Sequence, residues 1–239
     1  MRPGGGEPDG PGWTVRVVPN KYPAIPGHEV VVHGPSHLTA FADVSPRLAE
    51  EVVTMWGRRR CAHAGAGRAY LLAGMNEGPA AGASLPHSHS QLVPFDHVPP
   101  AVTAEAAAME PGCALCGALA VVDAPVRDAD GLLTFCPPWG RSPYETWIVP
   151  RDHEPAIADP GAAGRALLDL ARRFRSVLGE GLSWNVIVHD APLAGGSWHW
   201  HAEVLPRITV PALIELGAGI WISTADPDRA GEELAAAAV

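Results

Sequence analysis

Asn76-Glu77-Gly78-Pro79-Ala80-Ala81-Gly82-Ala83-Ser84-Leu85-Pro86-His87-Ser88-His89-Ser90-Gln91 is the stretch from which the rest of the chain can be read. Two histidines stand two apart, with a glutamine two further on. In an extended segment, alternation puts His87, His89 and Gln91 on one face. The run Gly82-Ala83-Ser84 ahead of them is small enough for backbone N–H groups and a hydroxyl to approach a phosphate. Asn76 adds an amide. A bare His-x-His is more often a surface loop than a site. Paired imidazoles beside small residues and a glutamine instead suggest chemistry at phosphorus, with one imidazole as nucleophile.

The stretch has a counterpart downstream. Asp190 to Glu203 ends in Ser197-Trp198-His199-Trp200-His201-Ala202-Glu203, and each version follows a strand-like run, Ala69 to Met75 or Trp184 to Val188. His37 precedes His87 by 50 residues, and His153 precedes His199 by 46. Strands are expected at Trp13 to Val18, Glu29 to His33, Gln91 to Phe95, Leu132 to Cys136 and Tyr144 to Val149. Ser45-Pro46 and Asp159-Pro160 read as helix starts, a capping side chain followed by proline. Behind them Leu48, Val52, Met55 and Trp56, then Leu167, Leu170, Phe174 and Val177, form stripes at helical spacing. The chain is thus expected to be an internal duplication of α+β units with antiparallel sheet. The expected division is a polar tail over 1–12, a first half over 13–98, a linker over 99–112 and a second half over 113–239.

The pattern Asn-x-Gly-x-x-x-Gly-x-Ser-x-x-His-x-His-x-Gln resembles the active-site signature of galactose-1-phosphate uridylyltransferases, a branch of the histidine-triad superfamily. Val17-Val18-Pro19-Asn20-Lys21-Tyr22-Pro23-Ala24 resembles the family's nucleoside-binding segment, and His199 to Glu203 its second-half motif. The resemblance implies histidine-triad-like halves forming a pseudo-dimer with one merged sheet. It implies that His89 is the nucleophile and that Gln91 donates its amide to a phosphate oxygen. Asn76, Gly82 and Ser84 would cradle phosphate, and Asn20 would contact the nucleoside. The implied reaction moves a nucleoside monophosphate between sugar 1-phosphates, most simply from UDP-glucose to galactose 1-phosphate. Adenylyl-transferring relatives, an ADP-sugar phosphorylase or a dinucleoside-polyphosphate phosphorylase, form the alternative. A degenerate, zinc-stabilised nucleotide-binding protein is the non-enzymatic one. The segment Glu215 to Ile222 resembles the part that approaches the hexose phosphate, without a lysine and tyrosine found in some relatives.

Cys113-x-x-Cys116 read alone is two buried thiols, a redox pair or half of a tetrahedral metal site. The resemblance places His153 and His199 beside it, which implies one structural zinc on Cys113, Cys116, His153 and His199. Many relatives carry a second such cysteine pair ahead of the Val-Val-Pro-Asn segment. Here Met1 to Gly6 holds none, so one zinc is expected, not two. Ser88 stands where the family usually has proline, and a less rigid loop is expected there. His201 and Glu203 occupy the positions of His89 and Gln91. A second active site is not expected, because the small-residue approach is missing and Glu203 repels phosphate.

Composition sets outer limits. With 47% hydrophobic and 18% charged residues among 239, the chain can bury a sizeable core. Its 26 glycines and 25 prolines are interspersed with apolar runs, which reads as loop-rich. A net charge of −9 argues against nucleic acid, which needs basic surface. No apolar run is long enough for a bilayer, and no signal peptide is evident. A cytoplasmic, reducing setting follows as the expectation, with the four cysteines as thiols or metal ligands. The expected partners are a nucleotide sugar, a sugar 1-phosphate and a second copy in a homodimer.

Overall fold

In the computed structural model, which describes residues 1, 7, 10–110 and 112–239, nine strands join in one antiparallel sheet. In chain order they are β1 (Val15–Pro19), β2 (Glu29–His33), β3 (Tyr70–Glu77), β4 (His89–Phe95), β5 (Arg127–Ala129), β6 (Leu132–Phe135), β7 (Thr146–Pro150), β8 (Trp184–His189) and β9 (His201–Pro206). The helices are α1 (Pro46–Gly65), α2 (Pro100–Ala106), α3 (Ala114–Leu119), α4 (Pro160–Leu178), α5 (Leu213–Ala218) and α6 (Pro227–Ala235). Across the sheet the order is β1-β2-β4-β3-β8-β9-β7-β6-β5. The unit β1-β2-β4-β3 lies beside its reversed copy β8-β9-β7-β6, and β5 extends the far edge. The fold is therefore α+β, two histidine-triad-like halves forming a pseudo-dimer in a merged sheet.

The seam is β3 against β8, with Gly74 opposite Ile187 and Asn76 opposite Asn185. A Cβ at Gly74 would stand 2.5 Å from the Val186 carbonyl oxygen, so the backbones meet too closely there for any side chain. The two long helices start as the sequence indicates. Ser45 Oγ accepts from Leu48 N–H at 3.2 Å, and Asp159 Oδ1 accepts from Ala162 N–H at 2.9 Å. Both helices lie over one face of the sheet and against each other. At their crossing a Cβ on Gly164 would fall 2.6 Å from the Ala49 carbonyl oxygen. Val52, Trp56, Leu167, Leu170 and Phe174 are buried from the helices, and Val31, Met75, Leu92, Val186 and Val204 from the strands.

Which sheet face is which follows from one bond. Trp56 Nε1–H on α1 donates to Ser90 Oγ at 2.8 Å, so Ser90 looks toward the helices. Alternation then turns His89, Gln91 and Val93 to the opposite face.

Some elements lie where none was expected. The segment taken as a linker over 99–112 carries α2, and β5, α3, α5 and α6 are further additions. Of the tail expected over 1–12, residues 2–6 and 8–9 lie outside the described residues, as does residue 111. Among the described residues, no helix is long and apolar enough to cross a membrane.

Candidate active site and metal-ligand cluster

His89 opens β4 and is buried. Its Nδ1 lies 2.8 Å from the His87 carbonyl oxygen. A carbonyl only accepts, so Nδ1 carries a proton, and in the neutral ring Nε2 is the nitrogen with the lone pair. His87 is fixed the other way round, with Nε2–H donating to the Gly34 carbonyl at 3.1 Å.

Gln91 is two residues on, across from Val30 on β2 and Gly74 on β3. These small neighbours leave a concavity of about 150 Å³, lined by Leu72, Gly74, Asn76, Gln91, Val93 and Ile187. Asn76 therefore joins Gln91, as the sequence suggests. Its Oδ1 accepts from Asn185 Nδ2–H at 2.7 Å, and the same Asn185 amide reaches the Ala81 carbonyl at 3.0 Å. Asn185 Oδ1 in turn accepts from Arg207 Nε–H. This chain, anchored in the second half, leaves Asn76 Nδ2 as the outward donor.

The other residues expected in the site are placed differently. Gly82 adopts a left-handed conformation at φ 82°, and its N–H closes a turn on the Pro79 carbonyl at 3.1 Å. The Ala83 N–H is likewise engaged with Gly78 O at 3.2 Å. Gly82 thus offers close approach and not a backbone donor. Ser84 is exposed and lines a separate cavity of about 470 Å³, with Glu77, Asp43, Arg175 and Trp184. Within it, burial raises the Glu77 carboxyl, which accepts from Trp184 Nε1–H at 2.8 Å. Asn20 connects to Gln91 only through His28, a residue the sequence reading did not pick out.

The loop expected to be loosened by Ser88 is instead pinned. Ser88 N–H donates to the Leu38 carbonyl at 2.7 Å, and Ser88 Oγ lies 3.0 Å from His33 Nδ1. Ser90 Oγ lies 3.0 Å from His33 Nε2. A hydroxyl gives the loop the cross-strand bond that a proline ring cannot make. His33 is fully buried between the two serines, and desolvation, then the neighbouring imidazoles His89 and His87, lower it to about 3.

The equivalent place in the second half is filled. Trp147 opposes Glu203 as Val30 opposes Gln91, and Ile187 replaces Gly74. The indole stacks on His201 at 4.6 Å, and His189 stacks on the other face at 4.7 Å. His201 Nδ1–H donates to the His199 carbonyl at 3.1 Å, which reproduces the His89 arrangement. Its Nε2, however, lies 3.0 Å from Glu105 of α2, within ion-pair reach though off the hydrogen-bond line. Burial alone would raise the Glu105 carboxyl, but the hydrogen bond from His189 and the charges of His189 and His201 outweigh it and hold it at about 2. Burial would lower His189, yet Glu105 and Glu203 push it up to about 9. Arg141 also pairs with Glu203. The imidazole corresponding to His89 is thus sandwiched and capped.

Cys113, Cys116, His153 and His199 converge, their ligand atoms all within 4.8 Å of one another. His199 Nδ1 lies 3.6 Å from Cys113 Sγ and 3.3 Å from Cys116 Sγ, and His153 Nδ1 lies 3.4 Å from Cys116 Sγ. His199 Nε2–H donates to the Pro150 carbonyl at 2.8 Å, which aims the Nδ1 lone pair at the thiols. Sulfur and nitrogen sharing one tetrahedral zinc would be about 3.5 Å apart, so the donor set fits that ion. In the first half His37 and His87 keep the same pairing, with ring centroids at 5.4 Å against 5.1 Å for His153 and His199. No cysteine stands beside them among the described residues.

Residues 26–99 match the family model for the N-terminal domain of galactose-1-phosphate uridyl transferase. An ADP-glucose phosphorylase of Arabidopsis thaliana is 25% identical over 262 residues, covering 91% of this chain and 73% of that protein. A galactose-1-phosphate uridylyltransferase of Thermotoga maritima is 24% identical over 230 residues, 86% of this chain and 72% of that one. The solved structure of an ADP-glucose phosphorylase from Arabidopsis thaliana with bound ADP-glucose superposes with a TM-score of 0.89 at 23% identity, covering 97% of this chain and 83% of that chain.

Proposed function

We propose, for a chain that belongs to the galactose-1-phosphate uridylyltransferase family, a double displacement at the α-phosphorus of a nucleotide sugar. The observation that carries it is the His89 Nδ1–H bond to the His87 carbonyl, which in the neutral ring makes Nε2 the nitrogen with the free lone pair. In the first step Nε2 attacks phosphorus. The N–P bond forms, the bridging P–O bond breaks, and the sugar 1-phosphate leaves with the electron pair. The imidazole becomes positively charged, and the His87 carbonyl stabilises it through the bond already made at Nδ1. In the second step a phosphate oxygen of the acceptor attacks phosphorus and imidazole takes back its pair. Gln91 and Asn76 present amide donors to the non-bridging oxygens. None of these groups delivers a proton readily, which favours transfer to an acceptor over hydrolysis.

Two donors fit this chemistry. The uridylyl reading, UDP-glucose with galactose 1-phosphate as acceptor, rests on the Asn20 segment and on the matched family model. The adenylyl reading, ADP-glucose with inorganic phosphate as acceptor, is favoured by the Arabidopsis relative at 25% identity. Cys113, Cys116, His153 and His199 would hold one zinc with a structural role, supplying rigidity and no step of the reaction. A second copy of the chain as homodimer partner belongs to the same reading.

The test is incubation with UDP-glucose or ADP-glucose labelled at the α-phosphate, followed by denaturing electrophoresis. Label on the protein, discharged by a sugar phosphate or by inorganic phosphate, is the expected result. The faster donor names the base. A pocket that hydrogen-bonds one base edge should favour it by as much as about 10⁴-fold. A chain that binds these nucleotides without becoming labelled would be the degenerate binding protein instead.

A further inference from the structure

An amide that must donate to phosphate has to be kept from flipping, and the first half contains a device that does so. His28, just ahead of β2, is buried at 6% exposure. Its Nδ1 lies 3.2 Å from the Ala24 backbone N–H. A backbone N–H only donates, so Nδ1 accepts and the ring proton sits on Nε2. That Nε2–H then donates to Gln91 Oε1 at 2.9 Å. With Oε1 taken, Gln91 Nε2 is the end presented to the concavity, and no other described side chain engages it.

The loop that supplies Ala24 is itself tied down. Asn20 N–H donates to the His28 carbonyl at 2.9 Å, and Tyr22 N–H donates to Asn20 Oδ1 at 2.9 Å. Asn20 Nδ2 lies 3.4 and 3.3 Å from the two ring nitrogens and favours neither, so it leaves the tautomer unchanged. The second half has no such relay. Counting back two residues from Trp147, as His28 is two before Val30, gives Glu145. That carboxylate accepts from Trp147 Nε1–H at 2.9 Å and from Arg141 N–H at 2.6 Å, and it makes no bond to Glu203.

We propose that His28 is a positioning residue, which fixes the Gln91 amide with its N–H donors toward the transferring phosphate by relaying the polarity of the Ala24 N–H. The inference rests on the nucleotidyl-transfer reading of the same site. Without His28 the amide turns freely, and in half of its orientations Oε1 opposes an anionic oxygen.

The experiment compares His28→Leu, His28→Gln and His28→Glu in single-turnover labelling and in steady-state exchange. Leucine removes the relay, and kcat is expected to fall roughly 10- to 100-fold with a smaller change in KM. Glutamine can still donate to Gln91 Oε1 and should recover activity to within a few-fold of wild type. Glutamate only accepts, turns the Gln91 oxygen toward phosphate, and should be the slowest of the three. Adding Gln91→Ala should cost little in the His28→Leu background. A wild-type kcat in His28→Leu, or full additivity with Gln91→Ala, would overturn the proposal. The imidazole nitrogen chemical shifts of His28 in the wild-type protein give a readout independent of turnover. An Nδ1–H tautomer overturns the relay even in an active enzyme. Should wild type take no label from any nucleotide sugar, the transfer reading fails by itself, and the tautomer still decides the relay.

Discussion

His33 shows how one side chain fixes the residues on both sides of His89, the proposed nucleophile. Trp56 Nε1–H donates to Ser90 Oγ, which leaves the Ser90 hydroxyl proton for His33 Nε2. His33 Nδ1–H then donates to Ser88 Oγ, and every partner is matched only while the ring is neutral. Burial, aided by the charges of His89 and His87, lowers its pKa from 6.5 to about 3. The unfolded chain takes up a proton in that interval and the native chain does not. This contribution to stability is therefore complete above pH 6.5 and is lost as pH falls toward about 3. The slope is at most about 1.4 kcal/mol per pH unit for one proton. In denaturant titrations across this range, His33→Gln should show a flatter acid limb than wild type, and an unchanged slope would refute the assignment. At this scale the sequence was legible where the signal was local. Alternation alone placed His89 and Gln91 on one face. It could not find His28, whose bond to Gln91 spans 63 residues, or the burial that makes Ser88 a cross-strand anchor.

The strands and the two long helices were readable because each carries its own evidence: a capping side chain, a proline in the first turn, and a stripe several turns long. The shorter elements carry less. The strand β5 has three residues, and α3 and α5 have six each, too few for a period to declare itself. The α1/α4 crossing was hidden for another reason, since a glycine inside a helix reads as a weakness. Gly164 is buried where α4 meets α1, and its missing Cβ is what lets the Ala49 backbone in. Any side chain there meets backbone, which cannot turn away as a flexible side chain could. Gly164→Val should lower stability by about 1–3 kcal/mol through overpacking, despite the better helix propensity of valine. Gly161, in the first turn of α4, is the control. A Cβ there meets side-chain ends at 3.1 and 3.3 Å and no backbone, so Gly161→Ala should cost much less. Equal midpoints for both variants in urea would show that the helices can separate freely.

For the whole molecule, duplication supplied two copies of one strand arrangement, and the copies have diverged. The first keeps Val30 and Gly74 beside Gln91, and so keeps a concavity. The second fills that space with Trp147 and Ile187 and gathers the cysteine–histidine cluster. With one complete set of four ligands among the described residues, the purified chain should hold about one zinc by elemental analysis. Cys113→Ser should lose it and melt at a lower temperature, since a structural ion stabilises the fold that forms its site. Two tightly held zincs would mean that His37 and His87 find further ligands. On the proposed nucleotidyl-transfer reading, the asymmetry also sets how much nucleotide one chain can carry. Both His89 and His201 direct Nδ1–H to a carbonyl two residues back, so both imidazoles have Nε2 unprotonated when neutral. In the first half Gln91 and Asn76 line a concavity, whereas His201 is stacked on two faces and met by Glu105. A phosphate approaching His201 would meet the Glu105 and Glu203 carboxylates, each held below the ordinary carboxylate range by its imidazole partners. Labelling with a nucleotide sugar should therefore saturate at one nucleotide per chain. His89→Ala should abolish it, and His201→Gln, which keeps the buried shape without a nucleophile, should leave the stoichiometry at one. Residual label in His89→Ala that disappears on adding His201→Gln would show that the second half reacts as well, and that Trp147 and Glu105 move aside to admit the substrate.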